Sequence, residues 1–131
     1  MLKQGDIVLI PIPFSDLTSS KKRPVLVLLS DEYNKKTDDI IVAAITSNLD
    51  NNTHAVVITK DNLTDGNLLH DSCVRADKLY TLSNKIVIKR FGAVEDKVLM
   101  AVTSKLVKII RMNYNVDDYQ EDLMTIEGLD L

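Results

Sequence analysis

The chain has one cysteine, Cys73, so no internal disulfide can form. No Cys or His pair has zinc-finger spacing. Tryptophan is absent, and four Tyr and two Phe are too few to line the aromatic groove of a proline-peptide-binding SH3 module. No apolar run is longer than Val25 to Leu29 or Ile40 to Ile45, far short of a bilayer span. The opening MLKQGD puts a charge and a turn before any apolar stretch, unlike a signal peptide. There is no P-loop or Gly-rich dinucleotide turn. DEYNKKTDD lacks the Gly and terminal Glu of a calcium loop. These absences lead to an expectation of a cytoplasmic protein with no membrane contact, no metal and no cofactor.

One further absence is local. Residues 112–131 contain no Lys or Arg but six acids, Asp117, Asp118, Glu121, Asp122, Glu127 and Asp130. The 16 bases therefore all lie in residues 1–111 beside the remaining 13 of 19 acids, for a body charge of +3. A mildly basic body with an acidic tail is compatible with an anionic partner for the body.

At 131 residues, 45% of them hydrophobic, the chain suits one globular domain. Gly5-Asp6 opens the strand-like IVLI, followed by PIPF, where Pro11 and Pro13 end the strand or make it an edge. SDLTSSKK reads as a loop and Pro24–Ser30 as a second strand. DEYNKKTDD reads as a loop and DIIVAAIT as a third strand, apolar enough to be buried on both faces. HAVVIT is a fourth strand, KDNLTDGN a turn-rich connection and SCVRADKLYTL a fifth strand. KIVIKRFGAV is a sixth, with Gly92 marking a bend or bulge. From Glu95 the period changes. Val98, Leu99, Val102, Leu106, Ile109 and Ile110 fall at helical spacing, with acids at the start and Lys105, Lys108 and Arg111 near the end. Asp117, Gln120 and Gly128 carry the start and stop signals of one more short helix. The expected fold is mainly β: a small antiparallel barrel of about six strands, with a long helix at 95–111 packed on it. Its domain is the body, 1–111, followed by the acidic tail, 112–131.

His70-Asp71-Ser72 contains the residue types of a hydrolase triad. Neighbours on an extended chain point to opposite faces, so the three cannot form the relay. His54 opens a strand and is expected to be exposed. Four other places carry chemistry. Lys21, Lys22 and Arg23 form a charge run that reads most simply as a solvated loop, but Pro24 holds Arg23 rigidly at the start of a buried strand, which suits it to bidentate phosphate contact. Thr46, Ser47 and Asn48 end the third strand, where they cap it or donate to a phosphate. Arg75 and Asp77, at i and i+2, share a strand face with roughly 6.5–7 Å between α-carbons. A surface ion pair is the simpler account of them. Phe14, after two prolines, is core or a platform for a stacked base.

Taken in order, GDIVLIPIPF, KKRPVLVLLS, IIVAAITSN, SCVRADKLYTL and KRFGAV leading into a helix resemble the MazF/PemK/Kid family of toxin ribonucleases. The likeness covers residues 4–111. It implies an SH3-like barrel, a homodimer and a cognate antitoxin, with DNA bound only through the antitoxin complex. It also implies metal-independent, sequence-selective cleavage of single-stranded RNA, mRNA above all, leaving a 2′,3′-cyclic phosphate and a 5′-hydroxyl. By position, Arg23 and Thr46 match the family's most recurrent catalytic pair. Ser47, Arg75 and Asp77 match Kid-like members, where the Arg and Asp are assigned acid and base roles. The first loop, SDLTSSKKRP, departs from the family: it has neither Gly-Ser-Glu-Gln nor a histidine, and Asp16 is its only acid.

The chemistry so implied uses the substrate's own 2′-hydroxyl. Asp77 is the candidate base, although a nearby Arg75 lowers its basicity. A guanidinium keeps its proton until roughly pH 12, so Arg23 and Arg75 fit better as fixed cations on the phosphorane than as acids. Thr46 and Ser47 donate to the same oxygens, and water or one of these hydroxyls protonates the leaving oxygen. Phe14, Asp16, Lys21, Lys22 and Asn48 are the expected RNA contacts. The tail, with Tyr119, Leu123, Met124 and Ile126 among its acids, is a loosely held terminal segment or a mimic of an antitoxin segment. The competing reading is a catalytically inactive barrel that binds nucleic acid or an antitoxin-type partner.

Overall fold

A computed structural model of the chain describes residues 2–13, 20–50 and 53–111. Among these residues, seven strands form one sheet: β1 Asp6–Pro13, β2 Ser20–Val27, β3 Asp39–Thr46, β4 Ala55–Ile58, β5 Leu63–Gly66, β6 Ser72–Ser83 and β7 Lys89–Val94. Their order is β4-β6-β3-β2-β1-β7-β5, with antiparallel neighbours throughout. The sheet curls into a half-barrel. Two helices accompany it, α1 at Asp31–Lys36 and α2 at Asp96–Ile110.

Strand alternation builds two cores, one on each face. One face carries Ile7, Leu26, Ala43, Ile45, Ile58, Val74, Ala76 and Val94, and α2 covers it with Val98 and Val102. The other face carries Val8, Ile10, Val25, Val27, Ile40 and Val42, with Tyr80, Leu82, Ile86 and Val87 packed against them. β3 contributes to both, which explains its nearly unbroken apolar sequence.

The mainly β fold with one long helix agrees with the sequence reading, and α2 lies within one residue of the expected limits at each end. Several local readings change. β1 continues through Pro11 and Pro13: β7 pairs with Asp6 to Leu9, and among the described residues no strand pairs with that side of β1 beyond them. β2 begins at Ser20, four residues before Pro24, and ends at Val27. DEYNKK is a helix: Ser30 caps it, its side chain accepting from Tyr33 N–H, with acids in the first turn and Lys35 and Lys36 in the last. The seventh strand, β5, lies in the stretch read as a turn-rich connection. It is short and polar, and it pairs only at the sheet edge, so periodicity alone does not reveal it. The bulge expected at Gly92 falls beside it, at Phe91, where the β1–β7 register skips a residue. Ile109 and Ile110, placed on the apolar stripe by spacing, are exposed in the last turn of α2.

An ion pair between a buried carboxylate and a half-exposed guanidinium ties β1 to β7. Asp6, 3% exposed, accepts from Lys3 N–H at 2.8 Å and from Arg90 Nε at 3.0 Å. The same guanidinium donates through both Nη atoms to Asp65 at 2.8 and 2.9 Å, bringing β5 into the network. Arg90 holds the Asp65 carboxyl below its usual range. The signals proposed for a second helix, the acidic tail, Phe14 and Asp16 all lie outside the described residues.

Candidate active site

The sheet register brings distant stretches of chain to one end of the fold. β2 pairs with β3 through Val25–Ala44, Leu26–Ala43 and Val27–Val42. Continuing that register by two residues puts Arg23 opposite Thr46. β3 in turn pairs with β6, where Thr46 faces Cys73. The start of β2, the end of β3 and the start of β6 therefore lie side by side. A cleft of about 270 Å³ opens there, lined by residues 22–24, 45–47, 67–70, 72 and 91.

Four of the sequence-predicted site residues meet in this cleft: Lys22, Arg23, Thr46 and Ser47. Pro24 and the buried strand behind it fix the Arg23 backbone, while its side chain stays exposed. Among the described residues no carboxylate pairs with Arg23. Thr46 is half-buried, and its Oγ1 accepts from Asn48 N–H at 3.1 Å. That bond uses a lone pair and leaves the hydroxyl proton free to donate outward. The corner is braced further by Cys73, whose thiol donates to the Asn48 carbonyl at 3.5 Å, and by Asn48 Oδ1, which accepts from Asp50 N–H at 3.0 Å. Burial pushes the Cys73 thiol up, so it stays protonated and structural. Capping and a free donor therefore coexist at this strand end.

The other expected residues are placed elsewhere. Lys21 is on β2 opposite Ile12 and exposed, and Asn48 serves the turn rather than the cleft wall. Arg75 faces Ala44, on the same sheet face as Arg23 and Thr46 but one row farther along, roughly 7 Å up the strand from Cys73. Its guanidinium grips Asp77 bidentately, Nε to Oδ1 at 2.9 Å and Nη2 to Oδ2 at 2.8 Å. Both side chains are about three-quarters covered, at 24% and 26% exposure, so this pair is tighter than a freely solvated one. The register shift between Ala43 and Ala44 lengthens β6 there and brings Asp77 back against Arg75. The opposing pulls on Asp77 resolve downward: the Arg75 hydrogen bonds hold its carboxyl below the ordinary range, and nearby His54 adds a smaller pull the same way.

A folded-state value below the usual 3.8 means that ionised Asp77 stabilises the fold above that pH, and that this contribution is lost as pH falls through the depressed value. Asp77→Asn should therefore lower Tm at about pH 6 but converge with the unsubstituted protein as pH falls through the depressed value and Asp77 itself becomes neutral. Thermal melts across that range check it, and a gap that persists undiminished in acid contradicts it.

Residues 3–110 match the family described as the PemK-like, MazF-like toxin of type II toxin–antitoxin systems. The chain belongs to this family. Among solved structures, this MazF-like chain resembles an endoribonuclease in complex with its cognate antitoxin from a mycobacterial species, at 14% identity and a TM-score of 0.71, covering 88% of this chain and 100% of that one. It also resembles a MazE–MazF structure from Deinococcus radiodurans, at 20% identity and a TM-score of 0.70 over 86% and 98% of the two chains. A MazF structure from the same organism follows at 22% and 0.67, covering 85% and 97%. At these identities the likeness is one of fold. Among curated proteins, none matches closely.

The cleft also contains residues that the MazF-like sequence pattern did not single out. Phe91 lines it, with Lys89 Nζ 4.8 Å from the ring centroid. Leu69, at 86% exposure, and the half-buried Leu68 form an apolar wall beside it, and Asn67 and His70 supply polar groups. The only sequence signal for them is indirect. Once SCV is aligned against the end of IIVAAITS, the segment just before Ser72 has to cross the mouth of the cleft. Among the described residues, no group of three His, Cys, Asp or Glu side chains is arranged to hold a metal ion, and no helix is long and apolar enough to cross a membrane.

Proposed function

We propose that this chain is the toxin of a toxin–antitoxin pair and cuts single-stranded RNA, mRNA above all, in this cleft without a metal ion. The observation that carries the reading is the meeting of Arg23, Thr46 and Ser47 in one open cleft of a family toxin, although residues 23 and 46 are distant in the chain. The relatives named as endoribonucleases, one of them with its antitoxin, support the same reading.

The ribose 2′-hydroxyl attacks the adjacent phosphorus, the O5′ bond breaks, and the products are a 2′,3′-cyclic phosphate and a 5′-hydroxyl. The protein supplies alignment and charge stabilisation. Arg23 sits as a fixed cation on the phosphorane oxygens, and Thr46 and Ser47 donate hydrogen bonds to them. Lys22 contacts a flanking phosphate. Asp77, locked and weakly basic, orients Arg75 along the RNA backbone rather than acting as the base, and water takes the 2′ proton. The apolar wall of Phe91, Leu68 and Leu69 offers a base a face to stack on. A homodimer, a cytoplasmic location and an acidic antitoxin covering the basic cleft complete the proposal.

A second reading, a barrel that binds without cutting, draws on the locked Arg75–Asp77 pair, which lies outside the cleft wall. One experiment separates the two. The purified protein is incubated with a mixed pool of long RNAs, with and without EDTA, and the new 5′ ends are mapped. Recurrent cuts within one short sequence, bearing 5′-hydroxyls and unaffected by EDTA, are expected. Bound but intact RNA would favour the second reading, and strict dependence on a divalent ion would overturn the mechanism.

A further inference from the structure

The mechanism above leaves the proton for the leaving O5′ without a protein source, and the cleft contains one group suited to supply it. We propose that His70 is the general acid of this cleft, giving an imidazolium proton to the departing 5′-oxygen. This inference rests on the ribonuclease reading of the site.

Three observations support it. His70 lines the same cleft as Arg23, Thr46 and Ser47, and is the only histidine among the lining residues. Its segment is pinned at both ends. Asn67 N–H donates to the Phe91 carbonyl at 3.3 Å, and the buried Ser72 hydroxyl donates to the His70 carbonyl at 2.9 Å. Third, β6 begins at Ser72 and Cys73 faces Thr46, so His70 is three residues along the chain from the Thr46 row, within roughly 10 Å at strand rise. The imidazole is exposed and projects from a backbone anchored on either side of it.

Imidazole is the side chain best matched to proton transfer near neutral pH. Charged groups surround it. Lys22 and Arg23 on β2 share the cleft, Asp71 is its neighbour in the chain, and Lys89 stacks on Phe91 across the cleft. The end of β3 offers only hydroxyls, Thr46 and Ser47. In the step itself the O2′–P bond forms and the P–O5′ bond breaks. The O2′ proton passes to water, the imidazolium proton passes to O5′, and solvent then reprotonates the imidazole.

The test uses an oligoribonucleotide containing the cut sequence found with the unsubstituted protein, and a twin in which sulfur replaces the leaving 5′-oxygen. A thiolate leaves without protonation, so the twin bypasses a general acid. His70→Gln and His70→Ala are expected to slow cleavage of the oxygen substrate by about 100-fold or more. RNA binding should stay within about threefold, and the alkaline fall in the pH–rate profile should disappear. On the sulfur substrate the deficit should shrink to under about tenfold. Variants that cut the oxygen substrate at the normal rate would overturn the proposal. An equal deficit on both substrates would reduce His70 to a positioning residue and overturn the acid role. If the unsubstituted protein cuts no RNA, the ribonuclease reading fails first, and this inference with it.

Discussion

Arg23→Ala is expected to lower the rate of RNA cleavage by about 10²–10³-fold, equivalent to about 2.7–4 kcal/mol of transition-state stabilisation, while Tm and the far-ultraviolet spectrum stay unchanged. The expectation follows from placement and charge. Of the three arginines on the sheet, Arg75 and Arg90 are tied bidentately to Asp77 and Asp65. Arg23 lines the cleft with no carboxylate partner among the described residues. The side chain is exposed, so its removal leaves no cavity. Thr46→Ala should behave similarly on cleavage, with some loss of stability because Oγ1 also accepts from Asn48 N–H. Arg23→Lys separates charge from geometry. Lysine keeps the cation but loses the two-pronged donor, so cleavage should fall less than for alanine without being normal. Full activity in both Arg23→Ala and Thr46→Ala on a long single-stranded RNA would remove the cleft from the mechanism.

The second large effect concerns the frame. Gly66 ends β5 with φ +84°, directly paired with Gly92 of β7. A Cβ at Gly66 would collide with the Phe91 carbonyl oxygen and lie 2.5 Å from the Gly92 Cα, both of them backbone atoms that cannot swing aside. Gly66→Ala is therefore expected to cost about 3 kcal/mol or more, read as a lower urea midpoint. The site should suffer with the fold, because the β5–β7 seam positions both Phe91 and Asn67 at the cleft. Gly5→Ala is the control. Gly5 also has positive φ, +91°, but the tightest contact of its Cβ would be the Leu99 Cδ1 at 3.3 Å, a side-chain atom able to shift, with Val94 Cγ2 and the Val94 carbonyl oxygen at an ordinary 3.6 Å. Its cost should stay near about 1–2 kcal/mol. Equal stability of the two variants would mean that the close backbone approach between Gly66 and Phe91–Gly92 does not constrain position 66.

The contrast between strands shows what a single sequence makes legible. β3 and α2 were readable because burial imposes a strong period on long segments: DIIVAAIT lies between two cores, and Val98, Leu99, Val102 and Leu106 recur at helical spacing. β5 and α1 were not, because LTDG and DEYNKK bury little and are defined by pairing and capping rather than by apolar pattern. The prolines of PIPF limited β1 on one side only, a matter of which edge is occupied.

The candidate site was legible in the same uneven way. Arg23 beside Pro24 and the hydroxyls ending β3 stand out locally, and register brings them together. The sheet face shared by Arg75 and Asp77 was also readable. That the two would close on each other outside the cleft depends on the bulge in β6, which no local pattern announces. His70 was set aside with a false triad, and it becomes relevant only when the pairing of Cys73 with Thr46 puts the preceding segment beside the catalytic corner.

The most direct measurement removes one oxygen atom from the substrate. An oligoribonucleotide carrying the mapped sequence is prepared with a single 2′-deoxynucleotide on the 5′ side of the cut bond. That strand is expected to bind as tightly as the all-RNA parent and to stay uncut, because the missing hydroxyl is the nucleophile. Cleavage of that strand at the same bond would contradict it.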